Sequence, residues 1–238
     1  MLLTGLAVAV GCQAAQRVDE FTTKSGKKVT ITCIKHASLE INYDGLEIQV
    51  DPVGSFVTPV TDYAQFPKAN IILITHEHKD HYDLQAVQTL RNHATSIYEN
   101  PAVFGMFKNG IALKNGDSIQ YRADVKIEAV PAYNTTPGRE QFHPRGRDNG
   151  YVLTLDGLRI YFAGDTEDIP EMADLKDIDI AFLPCNQPYT MTVDQLVNAA
   201  KVIKPKVLFP YHFSNTPVTQ AVMRLAGTGI DVRIRDYK

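Results

Sequence analysis

Cysteine is scarce in this chain, with three in 238 residues, at Cys12, Cys33 and Cys185. Thiols so few and so far apart do not make a disulfide framework, so an apolar core has to hold the fold. Long apolar runs are missing too. The one apolar stretch at the start, Met1 to Cys12, is too short to cross a bilayer as a helix. There is no low-complexity tract and no long block of like charge, which excludes a disordered or fibrous chain. Positive charge is not in excess: 24 Lys and Arg stand against 27 Asp and Glu, for a net charge of -3. No global basic field recruits nucleic acid or an anionic membrane surface. What remains is an ordinary globular composition, long enough for one large domain or two small ones.

Against that background one stretch stands out. Thr75-His76-Glu77-His78-Lys79-Asp80-His81 places three imidazoles and the Asp80 carboxylate on one short loop. Asn70 to Ile74 before it reads as a buried strand, and Asp83 to Leu90 after it has a helical pattern with Asp83 as the N-cap. Loops at strand ends carry chemistry, and imidazole with carboxylate is the donor set of Zn²⁺, Mn²⁺ or Fe. A solvated polar loop seldom holds His-x-His-x-Asp-His. The stretch reads as a metal site.

The rest of the chain reads as strands and helices in alternation. Two hairpins, Ile41–Tyr43 with Leu46–Val50 and Tyr151–Leu155 with Leu158–Phe162, turn at Asp44-Gly45 and Asp156-Gly157. Each second strand runs out to an aspartate, Asp51 or Asp165, which fits a fold of two similar β-rich halves. Further strands read at 96–98, 111–113, 125–131, 178–184, 207–209 and 231–235. Helices read at 193–203, capped by Thr192, and at 218–225. The class is α/β with helices outside sheets.

The first residues differ from the rest. An apolar, small-residue-rich core is followed by Gln13-Ala14-Ala15-Gln16, without a basic start. Ala9-Val10-Gly11-Cys12 resembles a bacterial lipoprotein processing site, and cleavage near Ala14 is the other option. We expect residues 1–15 to direct export, periplasmic or lipid-anchored, and residues 16–238 to form a single domain. The alternative is a buried first element and a cytoplasmic protein.

Three further pieces can complete a metal site. Gly164 lets the backbone turn so that Asp165 projects from a strand end. His212, in Phe209-Pro210-Tyr211-His212, also ends a buried strand. His143 lies in a Gly/Pro-rich loop. Asp51 reads equally as a partner behind a ligand and as a turn residue. Cys33 reads as a small buried residue, and Cys185 is not expected to be a ligand.

The His-x-His-x-Asp-His loop, the later Gly164-Asp165-Thr166 and the late Pro210-Tyr211-His212 resemble the metallo-β-lactamase superfamily of hydrolases. The likeness covers about residues 29 to 238. Asp51-Pro52, Pro184 and Tyr189-Thr190-Met191-Thr192 are most similar to the branch that includes the ascorbate-6-phosphate lactonase. The resemblance implies a four-layer αββα sandwich with two divalent ions at one edge, Zn²⁺ first, with Mn²⁺ or Fe²⁺ as alternatives. It places His76 and His78 on the first ion, Asp80, His81 and His212 on the second, and Asp165 between them. The family's remaining histidine is replaced here by Tyr133-Asn134, and His143 is the substitute.

Two such ions can share a hydroxide that attacks a carbonyl or phosphoryl centre, with Asp80 or Asp165 orienting it and passing on its proton. The substrate expected is a small ester, lactone or phosphoester, anionic if Arg145 and Arg147 grip it bidentately. His36 and Tyr189 are the other candidate substrate contacts. The alternatives are a metal-dependent phosphodiesterase and a metal-binding protein without turnover. No nucleic-acid partner is expected.

Overall fold

The computed structural model describes residues 17–108 and 110–237; the expected export segment lies outside the described residues. Alternating apolar residues build two seven-stranded sheets. In the first, β1 (Val18–Thr22), β2 (Lys28–Lys35), β3 (Ser38–Tyr43) and β4 (Leu46–Val50) form an antiparallel meander. β5 (Ile71–Ile74), β6 (Ser96–Glu99) and β7 (Ile111–Ala112) then add in parallel, through α1 (Leu84–Leu90) and α2 (Pro101–Phe107). The second sheet repeats the plan. β8 (Ser118–Arg122), β9 (Val125–Ala132), β10 (Asp148–Leu155) and β11 (Leu158–Phe162) pair antiparallel, and β12 (Ile180–Pro184), β13 (Val207–Tyr211) and β14 (Asp231–Val232) follow in parallel, with α3 (Val193–Ile203) and α4 (Thr219–Arg224) between them. The two halves share one topology.

Side-chain alternation decides the layers. Ile71 and Leu73 of β5 face the other sheet, with Phe182 and Phe209, while Ile72 and Ile74 face Val87 and Leu90 of α1. Ala181, Leu183 and Leu208 pack outward against Leu196 and Ala200 of α3. Phe162, Phe182 and Phe209 stack in series between the sheets, with ring centroids 5.4 and 4.8 Å apart. The result is helix, sheet, sheet, helix, the mixed α/β sandwich expected.

Local chemistry fits each element. Asp44 and Gly45, and likewise Asp156 and Gly157, take positive φ, the turn that matches strand twist. Asp83 accepts from the backbone N–H groups of Gln85 and Ala86 at the start of α1, and Thr192 with Gln195 forms a capping box on α3. Three elements, β1, β8 and α2, are additions to the sequence reading. The last strand is shorter than the span 231–235; beyond it Arg235 grips Asp19 of β1 through two bonds of 2.7 and 2.6 Å. Among the described residues no helix is long and apolar enough to cross a membrane.

One buried acid within the first sheet is out of balance. Glu47 on β4 is 5 % exposed, and burial first, then the Glu40 carboxylate, raise its carboxyl above the ordinary range. A raised carboxyl holds its proton more tightly in the folded than in the unfolded chain. Its contribution to stability is therefore full below the unfolded value and declines as pH climbs toward the folded one. Glu47→Gln should flatten that decline, with a melting temperature about 2–4 °C above wild type at alkaline pH for each ~1 kcal/mol recovered. Thermal melts of both proteins across the acid-to-alkaline range check this, and parallel curves would contradict it.

Candidate metal centre

β4 and β5 are parallel neighbours, as are β11, β12 and β13, so their ends meet at one edge of the sandwich. The loop after β5 carries His76, His78, Asp80 and His81; Asp51 follows β4, Asp165 follows β11 and His212 follows β13. Gly164 is needed at its position. Its φ is +65°, and a Cβ there would lie 2.9 Å from the Asn149 carbonyl oxygen and 3.1 Å from Thr75 Cβ. The Tyr211 hydroxyl accepts from its N–H at 2.8 Å. Asp51, His36 and His212 also hold left-handed φ of 43°, 50° and 47°, a strain that side chains tolerate where surroundings over-determine them.

The donors fall into two sets, joined by a third cluster of His76, His81 and Asp165. His76, His78 and His143 each offer a nitrogen within 4.8 Å of the others, with ring centroids 4.7, 4.9 and 5.0 Å apart. Asp80, His81 and His212 form the other set together with His36, to the same limit. Asp165 lies between them. Its Oδ1 is 3.1 Å from His81 Nε2, and its Oδ2 is 3.3, 3.4 and 3.9 Å from the Nε2 atoms of His143, His212 and His76.

Behind the ligand atoms a second set of contacts fixes which nitrogen points inward. Asp51 Oδ2 accepts from His81 Nδ1 at 2.8 Å and from the Thr75 hydroxyl at 2.6 Å, while its Oδ1 accepts from the Thr75 N–H at 2.8 Å. With its own proton on Asp51, Thr75 Oγ1 accepts from His76 Nδ1 at 3.0 Å. Asp148 Oδ2 accepts from His143 Nδ1 at 3.1 Å. Each ring thereby turns its Nε2 toward Asp165. The Nε2 atoms of His76, His81 and His212 and Oδ1 of Asp165 are buried without a hydrogen bond. Converging orphaned donors of this kind fit a metal cation.

The electrostatics agree. Burial, then His81, hold His76 well below the usual imidazole range, and burial with His143 lowers His78, so both lone pairs are available at neutral pH. Burial opposes charge on Asp165, but His212 and His81 outweigh it and keep the carboxyl well below its ordinary range. Burial also opposes charge on His81, but Asp165 and Asp51 on its two sides outweigh it and hold the ring above the usual imidazole range, so a metal ion taken up there displaces its Nε2 proton.

The beta-lactamase superfamily domain matches residues 30–212. A UPF0173 metal-dependent hydrolase of Ligilactobacillus salivarius is 33% identical over 197 residues, 79% of this chain and 86% of that protein. The chain belongs to the UPF0173 metal-dependent hydrolases of the metallo-β-lactamase superfamily. A protein of Parabacteroides distasonis, provisionally designated a metal-dependent hydrolase, has a crystal structure that aligns with a TM-score of 0.89 at 57% identity, over 93% of this chain and 99% of that one. Igni18, a metallo hydrolase from Ignicoccus hospitalis, shares the fold, with a TM-score of 0.73 at 23% identity over 87% of this chain and 95% of that one.

In this metal-dependent hydrolase the departure at Tyr133-Asn134 has a structural explanation. Tyr133 turns outward, and its hydroxyl donates to Glu171 at 2.8 Å. The Asn134 N–H donates to the His143 carbonyl at 2.8 Å, and its side chain donates to the carbonyls of Arg139 and Tyr189. The loop is thus clasped back on itself, and His143 stands beside His76 and His78.

The anion clamp expected of Arg145 and Arg147 needs correction. Arg147 donates through Nε and Nη2 to Asp148 at 2.7 and 2.9 Å and lies 3.3 Å from Glu77, so it neutralises the carboxylate that orients His143. Arg145, 73% exposed, pairs with Glu171 at 2.7 Å and lies over the Tyr133 ring. Tyr189 packs on Phe142, with ring centroids 5.1 Å apart. His36 does reach the site, with Nε2 3.1 Å from Asp80 Oδ2. Cys185 is buried in the outer core, and burial pushes its thiol up to about 12. Sequence reading missed Thr75 and Asp148. Thr75 directly precedes the motif, but nothing local marks Asp148 as the partner of His143.

For Asp51 the network decides between the two readings, because its carboxylate holds both Thr75 and His81. Asp51→Ala should weaken metal binding by roughly 10–100-fold, read by chelator competition. Unchanged affinity would leave Asp51 a turn residue only.

Proposed function

We propose that the chain is a binuclear hydrolase of small carboxylic esters or lactones. His76, His78 and His143 would hold one divalent ion, Asp80, His81 and His212 the other, and Asp165 would lie between them. The observation that carries this reading is Asp165, a single buried carboxylate within 3.1–3.9 Å of imidazoles from both sets. Imidazole-rich donors with few carboxylates favour Zn²⁺, with Mn²⁺ and Fe²⁺ next. Such ions supply Lewis acidity toward a carbonyl oxygen and lower the pKa of water to near neutrality.

The side chains divide the remaining work. Asp165 is 3% exposed, while the Asp80 side chain is 40% exposed and its Oδ2 lies between His36 Nε2 at 3.1 Å and His212 Nε2 at 3.4 Å. Asp80 is the group through which a proton passes between the buried centre and solvent. Burial first, then His212, lowers His36 to about 4, so it is neutral at physiological pH and steadies the Asp80 carboxylate. Two features favour a carbonyl substrate over a phosphoester. The arginines of the 139–147 loop are engaged with protein partners, and the residues at Asp51-Pro52 and Tyr189–Thr192 resemble the lactonase branch.

A panel of aliphatic lactones, 4-nitrophenyl esters and bis(4-nitrophenyl) phosphate tests the reading. Lactones and esters should turn over with zinc, lose turnover to a chelator, and slow roughly 10²-fold in Asp165→Asn. Turnover of the phosphodiester alone would overturn it. Elemental analysis gives an independent check. Zinc per chain should fall by one ion in His143→Ala, and an unchanged count would remove His143 from the ligand set.

A further inference from the structure

A cavity of about 590 Å³ opens directly beside the second donor set, with His36 and His212 on its inner wall. That size lies within the roughly 300–1,000 Å³ of small-molecule sites. Val57, Phe213, Ile234 and Tyr237 supply its apolar lining, Thr58 and Ser214 two hydroxyls, and Arg235 and Asp236 its other charged members.

The charges are arranged against an anion. All three guanidinium nitrogens of Arg235 are engaged: Nε and Nη2 donate to the two oxygens of Asp19 at 2.7 and 2.6 Å, and Nη1 donates to the Ile234 carbonyl at 3.1 Å. Three of its five N–H donors are thus committed to protein acceptors, and at 3% exposed it offers little surface. Asp236 pairs with Arg17 at 3.4 Å, so its charge too is met within the protein. An incoming carboxylate or phosphate would lose water here and meet the hydroxyls of Thr58 and Ser214 but no uncommitted cationic side chain of the lining.

The wall is also held in place. The ammonium of Lys35, buried within the protein, donates to the carbonyls of Gly54, Val57 and Pro59 at 2.5, 2.6 and 2.8 Å. Three charge-assisted bonds fix the loop that presents Val57 to the cavity. Phe213 and Tyr237 pack edge to face, with centroids 5.8 Å apart, and fix the opposite side. A preformed apolar wall favours a ligand that fills it by burial of hydrocarbon.

We propose that this cavity receives an uncharged aliphatic arm of the substrate, the acyl chain of a neutral ester or lactone, with the scissile carbonyl at the His212 and Asp80 end. The inference rests on the hydrolase reading for the carbonyl, but the cavity's preference for an apolar chain can be measured without turnover.

The experiment measures dissociation constants of acetamide, hexanamide and adipic acid monoamide on the zinc-loaded full chain by ligand-observed NMR. Hydrolysis of 4-nitrophenyl acetate and hexanoate is measured in parallel. Hexanamide should bind tighter than acetamide by up to roughly three- to fourfold per added methylene. The monoamide, with its terminal carboxylate, should bind about tenfold more weakly than hexanamide. Val57→Lys should reverse that last order; Thr58→Lys, on the exposed neighbouring residue that also lines the cavity, gives the same readout if the first variant does not fold. Equal affinities for hexanamide and the monoamide, or an order the lysine does not change, would overturn the proposal. Hexanamide binding as described with no ester hydrolysed would leave the cavity standing and sink the ester reading. Ester hydrolysis without chain-length preference, together with equal affinities, would do the reverse.

Discussion

The structure depends on one carboxylate in an expensive place. Asp165 is almost fully buried, and an ionised carboxylate out of water costs several kcal/mol unless its surroundings compensate. Four imidazoles from three separate segments supply that compensation. Three of them are held from behind, His81 by Asp51, His76 by Thr75 and His143 by Asp148. An arrangement in which four imidazole nitrogens point at one anion, and three of those rings have their other nitrogen fixed, is preorganised for cations. Removing any one support releases a ring and leaves a buried charge less well paired.

The repeated topology is what makes this arrangement available. Each half supplies an antiparallel hairpin ending in an aspartate, followed by parallel strands whose ends lie at the same edge. In the first half that aspartate, Asp51, stands behind a ligand. In the second, Asp165 faces the donors directly. The parallel neighbours then add the His76–His81 loop from β5 and His212 from β13. Because Asp165, His212 and the His76–His81 loop all follow directly on strands of a packed sheet, their positions are set by backbone register, and the longer loop 134–143 is clasped by Asn134. The family's activity as metal-dependent hydrolases follows from a site of this construction, and the cavity beside it is where substrate selection would act.

Much of this was legible in the chain itself. The metal loop could be read because its donors are contiguous and flanked by a strand and a capped helix. Asp165 and His212 could be read because apolar runs stop at them. The hairpins announced themselves through Asp-Gly. Other features depended on contacts that sequence does not encode locally. A turn aspartate and an acceptor for His81 look alike at Asp51, and only the distance to Thr75 and His81 separates them. Arg145 and Arg147 read as free cations because Glu77 and Glu171 are distant in the chain, although Asp148 was adjacent to Arg147. The helix at Pro101–Phe107 was missed despite Asn100-Pro101, a cap followed by a first-turn proline. The strand at Val18–Thr22 was missed because five residues with little apolar content carry a weak signal.

The central claim is that Asp165 lies between two cation positions. Anomalous diffraction at the zinc edge, from crystals of the zinc-loaded chain, tests it directly. The account predicts two peaks, one among His76, His78 and His143 and one among Asp80, His81 and His212, with the Asp165 carboxylate between them. A single peak, or two peaks that do not share Asp165, would contradict it.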